Sequence, residues 1–433
     1  MQPQNLVRCR PIRSLILAFA AWKVLLLLIA LCSPGPGYDT STTLALRGDP
    51  QLPGPLTYVI GKLTRWDAIY FVKVATRGYR YEQEWAWGWG FTRLITLGTA
   101  VIGKLGVPHY DGLEAIVAII IAHSAHLLSV LVLYHLTLAI FAGAAGTALT
   151  AAALHIISPA GLFLSAPYAE SSCALLTFSG CLLFTKGFGP NSLGRDLLVL
   201  ASGVLFGVAT AFRSNGLLSG ILLLEEAFRT LYFLRHGFHL STLRRLFATG
   251  LGGVAVAVGF LLPQYIAYSE YCRQSSSSAP RPWCDRTLPS IYAFVQVHYW
   301  NNGLFNYWTL SNAPLFILGA PMFIIMTVSG LWAIRDSPFS QPKNVAKTVD
   351  LTEPQRYQVL RNLAATQLLL AGYTLTTAHA QIITRISSAS PVWVWFLAVA
   401  YAKGESTARH FVSFMVIYAV VQGGLFASFL PPA

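Results

Sequence analysis

The chain has 433 residues, of which 55% are hydrophobic and only 11% charged, and its mean hydropathy is +0.55. Soluble proteins of this length carry about 25% charged residues, so the composition excludes a soluble globular class. The net charge of +13 does not indicate nucleic acid: the bases are scattered at the ends of apolar runs and form no basic face or nucleic-acid motif. It fits a charge bias at one membrane side and contact with anionic head groups.

In chain order, Arg8, Arg10 and Arg13 lead into an apolar run over 12–32. It is longer than a signal-peptide core and no small-residue cleavage site follows, so it reads as a retained anchor with a cytoplasmic N-terminus. Further apolar runs lie near 115–140, 144–165, 169–187, 195–212, 214–234, 246–268, 312–334, 360–380, 388–403 and 409–429. They predict an all-α polytopic membrane protein with about 11 transmembrane helices. Bases lie in or beside 187–195 (Lys186, Arg195), 235–245 (Arg235, Arg244, Arg245), 335–359 (Arg335, Lys343, Lys347) and 404–408 (Lys403, Arg409), which marks those ends as cytoplasmic. The parity holds if the short, glycine-interrupted segment 94–107 does not cross but lies along or dips into the lumenal face. The expected organisation is one integral membrane domain over 1–433, with a large lumenal loop at 33–114, a second at 269–311 and a cytoplasmic connector at 335–359. Of six cysteines, Cys9, Cys32, Cys173 and Cys181 fall in or near spans as small apolar filler. Cys272 and Cys284 flank a Ser/Pro-rich loop and are either free or an oxidised pair.

Chemistry concentrates in the polar cassette RWDAIYFVKVATRGYRY at 65–81. Asp67 is its only acid, and two readings stand: an acid in the first turn of a helix, or a general base beside a lipid interface. Ile69, Tyr70, Phe71 and Val74 have the spacing of a short amphipathic helix on the membrane surface. Glu82 and Glu84 follow, either in a solvated turn or as second carboxylates facing the same cleft. Trp85, Trp87 and Trp89 form an interfacial belt or a sugar platform. Glu170, after Pro167, is a helix N-terminal acid or a cleft residue. Arg213 in AFRSNG and Arg385 in QIITRISSASP sit at predicted lumenal span ends, snorkelling to head groups or binding a lipid phosphate. His298 in VHYWNNG is an aromatic hydrogen-bonding partner or a contact to phosphate or sugar. His123 and His126 read as core residues or interhelical hydrogen-bonders, and Glu225 and Glu226 as an interhelical contact or an ion path. The sequence has no Gly-rich phosphate loop, no DxD triplet and no zinc-ligand spacing.

The stretch RWDAIYFVKVATRGYRYEQEWAWGWGF resembles the first lumenal loop of the GPI mannosyltransferase II family, in its fungal form. SPAGLFLSAPYAES, AFRSNG, VHYWNNGLFNYW and QIITRISSASPVWVW resemble further blocks of that family in the same order, over roughly 60–400. The chain departs from the family where WAWGWGF replaces a Phe-Phe-Pro-like segment. The resemblance implies a GT-C glycosyltransferase fold in the endoplasmic reticulum membrane with a lumenal active site. It implies dolichyl-phosphate mannose as donor, no tightly bound cofactor, and a GPI precursor carrying one mannose as acceptor of an α-1,6-linked second mannose, with inversion. A small accessory membrane subunit is an expected partner. Under this resemblance Asp67 is the base, with Glu84 and Glu170 as further catalytic carboxylates, and Arg385, Arg213, His298 and Trp66 hold substrate and phosphate. Two alternatives remain: a related dolichyl-phosphate-mannose-dependent enzyme with another acceptor, and a non-enzymatic lipid transporter or scaffold.

Overall fold

Apolar runs largely free of internal Gly and Pro clusters fold as helices, because only a helix satisfies its own backbone within a bilayer. A computed structural model describes residues 10–35, 42, 53–189, 191–273, 281–335 and 351–430. The helices are α1 (Pro11–Cys32), α2 (Gly54–Leu63), α3 (Ala68–Arg77), α4 (Trp89–Lys104), α5 (Leu113–Ile140), α6 (Ala145–Ile156), α7 (Glu170–Lys186), α8 (Leu193–Phe212), α9 (Gly220–Leu234), α10 (Leu240–Tyr268), α11 (Ile291–His298), α12 (Ala313–Arg335), α13 (Glu353–Thr377), α14 (Pro391–Ala402) and α15 (Ser406–Ala427). The chain is thus an all-α polytopic membrane protein.

Every expected span coincides with a helix. By length and apolarity six described segments suffice to cross a membrane, or seven if Ala380–Ala389 and Pro391–Ala402, bent by 80°, form one span. The others are short or mixed for visible reasons. Helix α6 has 12 residues and stops before Ser158 and Pro159; α7 restarts at Glu170 after Pro167; the first half of α13 carries Glu353, Arg356 and Arg361. The segment expected to skirt the lumenal face forms the 16-residue α4, which is not among the crossing candidates. The turn-rich start of the first loop (36–41 and 43–52), the Ser-rich stretch 274–280 and most of the connector (336–350) lie outside the described residues.

Two features of the packing shape the site. Gly203 and Gly207 on α8 face Gly252 and Gly259 on α10: a Cβ on Gly203 would come within 2.3 Å of the Gly252 Cα, and one on Gly259 within 2.0 Å of the Gly207 carbonyl oxygen. Small residues let these backbones touch and fix the C-terminal end of α8 beside Pro263. The break between α6 and α7 is held from α1, where buried Lys23 donates to the Leu164 carbonyl (3.0 Å) and to Ser165 Oγ (2.7 Å). A lysine inside a span needs such partners, and here it anchors the turn that leads to Glu170.

Helix α3 is where expectation and structure part. Its Phe71, Val72, Val74 and Ala75 are all buried, so it is packed among neighbours and does not lie on a membrane surface. At the opposite end of the bundle, Glu226 accepts from Arg245 (2.8 Å) and Gln358 (3.0 Å), and Gln358 also donates to Glu225 (2.5 Å). These acids are interhelical contacts. His126 bonds the His155 carbonyl (3.3 Å) and His123 that of Ile119 (2.9 Å), also as structural groups. Cys272 and Cys284 are joined as a disulfide.

Candidate active site

Chain reversal at Trp66, whose φ of +54° lies in the left-handed region, delivers Asp67 to the start of α3. A bulky residue there is strained. The Asp67 side chain makes no capping bond to its helix, so it does not serve as a helix N-terminal acid. It points across the molecule: Oδ2 accepts from Arg385 Nη1 at 3.0 Å. Among the described residues Oδ1 has no hydrogen bond to protein, and the side chain keeps 23% of its surface exposed.

Arg385 lies in the bent segment before α14. Its guanidinium sits 4.6 Å from the centre of the Phe163 ring and 5.5 Å from that of Tyr168, an arrangement that favours arginine over lysine. Its Nε lies 3.6 Å from Glu170 Oε1, and the same oxygen accepts from Arg213 Nη1 at 2.6 Å. The result is an alternating row, Asp67, Arg385, Glu170, Arg213, drawn from four distant parts of the chain. Each charge has an opposite neighbour, the condition under which buried charges are tolerated. The Tyr168 hydroxyl donates to the Arg65 carbonyl at 3.3 Å. Burial first, then the Asp67 charge, raises the phenol well above its ordinary range, so Tyr168 stays a protonated donor and stacking partner.

A cavity of about 600 Å³ opens in front of this row, with Asp67, Arg213 and Arg385 in its wall. Glu170 is 1% exposed and is not in the wall; it lies behind the arginines and positions them. Glu170 is therefore corrected from a reacting carboxylate to a positioning residue. Glu84 is corrected further. It is 2% exposed, receives Arg77 Nη2 at 2.5 Å and the backbone N–H groups of Arg80 (2.8 Å) and Tyr81 (3.2 Å), and is absent from the wall of this cavity. Its carboxylate closes the turn over 82–86. Gln in its place keeps turnover per folded molecule near that of the parent chain and lowers Tm by a few degrees, because a charge-assisted cap is lost; thermal unfolding read beside activity checks this.

Trp66 packs on Phe429, ring centres 5.2 Å apart, and is absent from the cavity wall; its contribution is the backbone turn. His298 is exposed and stacks on Phe294 at 4.9 Å, turned away from the cavity by its place at the end of α11. The same sequence block supplies Trp300 instead, and His379, six residues before Arg385, also lines the wall. The tryptophans 85, 87 and 89 line the cavity too, which replaces the belt reading. Glycine makes this possible: a Cβ on Gly88 would sit 1.6 Å from the Phe212 carbonyl oxygen, and one on Gly90 2.5 Å from the Phe212 ring. Gly88→Ala is expected to push the tryptophan turn off the end of α8, beside Arg213, with loss of most activity and a lower Tm, measured on the purified chain. Glu82, read as solvated, accepts from buried Trp283 at 2.8 Å and ties this turn to the disulfide-bearing loop.

A second stretch of wall is apolar: Leu217, Leu218, Phe260, Pro263, Leu369 and Tyr373. Leu369 and Tyr373 are more than half exposed on the flank of α13, so the cavity opens sideways between the helices. Among the described residues no three His, Cys, Asp or Glu side chains come together as a metal site.

Comparison with known proteins gives the following. A family model described as mannosyltransferase (PIG-V) matches residues 13–433. Curated relatives are called GPI mannosyltransferase 2. That of Chaetomium globosum is 48% identical, covering 99% of this chain and 97% of its own length. That of Gibberella zeae is 42% identical, covering 98% and 99%, and that of Aspergillus oryzae 41% identical, covering 100% and 98%. Among solved structures, the Archaeoglobus fulgidus oligosaccharyltransferase matches with a TM-score of 0.44 at 13% identity, over 94% of this chain and 55% of that one; the chain spans about half the length of that enzyme.

Proposed function

The chain belongs to the mannosyltransferase (PIG-V) family, and from that premise we propose that it is a GPI mannosyltransferase 2. It moves mannose from dolichyl-phosphate mannose to the GPI precursor that carries one mannose, forming an α-1,6 bond at the lumenal face of the endoplasmic reticulum membrane. The observation that carries this reading is Asp67, bonded to Arg385 and facing a cavity that also holds Arg213 and opens sideways along apolar residues. A polar transfer site continuous with the flank of the membrane helices suits a donor with a charged phosphate and a long lipid tail.

Asp67 accepts the proton of the acceptor's 6-hydroxyl, and that oxygen forms a bond to the anomeric carbon of the donor mannose. The bond from that carbon to the phosphate oxygen breaks on the opposite face, and its electron pair leaves with dolichyl phosphate. Attack opposite the leaving group converts the β-linked donor to an α product. The transition state has oxocarbenium character, as in glycoside chemistry. Arg385 and Arg213 meet the charge that develops on the leaving phosphate, already oriented by Glu170. Holding two lipid-borne reactants in one cleft supplies the rest.

The experiment is mannose transfer in membranes depleted of endogenous enzyme, with dolichyl-phosphate mannose and the one-mannose precursor. Formation of a two-mannose product sensitive to an α-1,6-specific mannosidase supports the reading. Transfer only to an N-glycan precursor, or to none, overturns it.

A further inference from the structure

Among the described residues, the cavity wall contains no Asp, Glu, Lys or Arg apart from Asp67, Arg213 and Arg385, and beyond these charges its chemistry is of another kind. Trp87 and Trp300 meet edge to face with ring centres 5.8 Å apart. Trp87 in turn stacks on Tyr70 at 5.4 Å and touches Phe71 edge-on at 5.8 Å, both on the first turn of α3 beside Asp67. Two primary amides also line this wall, Gln264 on α10 and Gln296 on α11. Gln264 Oε1 accepts from Ser290 Oγ at 3.0 Å and from the Tyr292 backbone N–H at 3.1 Å. A backbone donor cannot face an NH2 group, so this bond fixes the amide and leaves its NH2 for the cavity. Gln296 Oε1 accepts from Asn302 Nδ2, leaving its NH2 as well. Among the described residues neither NH2 donates to protein.

Flat indole surface beside oriented, uncharged hydrogen-bond donors matches a pyranose ring: its C–H face lies on an aromatic plane and its hydroxyl oxygens accept from amides. A phosphate belongs with the arginines. A lipid tail here would leave both amides desolvated and unpaired, which is unfavourable. Tyr70 and Phe71, which hold Trp87, stand on the turn that follows Asp67, and the base works on the acceptor's hydroxyl, while the donor's phosphate is held by the arginines. We propose that Trp87, Trp300, Gln264 and Gln296 form the subsite for the acceptor's terminal hexose, setting its nucleophilic hydroxyl against Asp67. This rests on the mannosyl-transfer reading above.

The test is steady-state transfer by the purified full-length chain with each substrate varied in turn, together with direct binding of the acyl-free mannosyl-glucosaminyl-inositol head group. Trp300→Ala is expected to raise the acceptor KM about tenfold with the donor KM unchanged. Trp300→Phe, which keeps a ring, recovers most of the loss. Gln296→Leu raises the acceptor KM about fivefold and carries the test if Trp300→Ala does not fold. Head-group binding weakens in parallel. A rise confined to the donor KM, a fall in kcat with both KM values unchanged, or no kinetic change in folded variants overturns the subsite while the activity stands. If the parent chain transfers no mannose yet binds the head group, and Trp300→Ala loses that binding, the activity is overturned and the subsite stands.

Discussion

Asn in place of Asp67 is expected to lower mannose transfer by about 10²–10⁴-fold, the range that positioned base catalysis supplies, with little change in thermal unfolding or in either KM. The side chain caps no helix and packs into no core, so its loss removes chemistry and leaves architecture. The amide of Asn keeps an oxygen for the Arg385 Nη1 hydrogen bond, now 3.0 Å to Oδ2, but cannot take the acceptor's proton. Equal falls in kcat and kcat/KM are the signature of an interaction made only in the transition state. An Asp67→Asn chain that folds and turns over at the parent rate would remove the base from the mechanism.

Arg385→Ala is the second large effect, expected at about 10²–10³-fold in kcat by comparison with the loss of a single preorganised stabilising donor. Two consequences combine. The leaving phosphate loses a cation held in place by stacking on Phe163 and Tyr168. Asp67 and Glu170 also lose their shared partner; Glu170 keeps Arg213, but the part-buried Asp67 carboxylate is left without its counter-charge, which lowers stability. Arg385→Lys separates the two: it restores positive charge without the planar fork, so stability returns toward that of the parent chain while kcat recovers only in part. Full recovery of kcat by lysine would show that charge alone suffices and that the stacked geometry is incidental. Activity beside thermal unfolding of both variants gives the answer.

The membrane class and the position of nearly every helix were legible because apolar runs of span length have few other solutions. Asp67 was legible because a lone acid stands out in a cassette next to an anchor. Its partner was not: Arg385 lies 318 residues away, and no spacing rule links groups that meet only through tertiary packing. Arg213 and Glu170 were each visible as charges at helix ends, yet their order behind one another became clear only with the fold, which sets Glu170 out of the cavity and both arginines in its wall. Glu84 shows the converse. Its distance from Asp67 along the chain permits a paired carboxylate, but two backbone N–H groups and Arg77 claim it first, a local competition that composition does not reveal. Lys23 was hidden by its surroundings, as one cation in an apolar run whose partners, the Leu164 carbonyl and the Ser165 hydroxyl, come from a turn 141 and 142 residues later. The tryptophans stayed open between an interfacial belt and a sugar platform because both uses favour such a cluster; Gly88 and Gly90, which let the turn settle on Phe212, were the signal that could have decided between them.

The most direct measurement is mannose transfer from dolichyl-phosphate mannose to the one-mannose GPI precursor by the parent chain, Asp67→Asn and Glu84→Gln at matched abundance of folded protein. The mechanism predicts a two-mannose product from the parent and from Glu84→Gln, and at least about a hundredfold less from Asp67→Asn. Comparable product from Asp67→Asn, or silence from a folded Glu84→Gln, would contradict it.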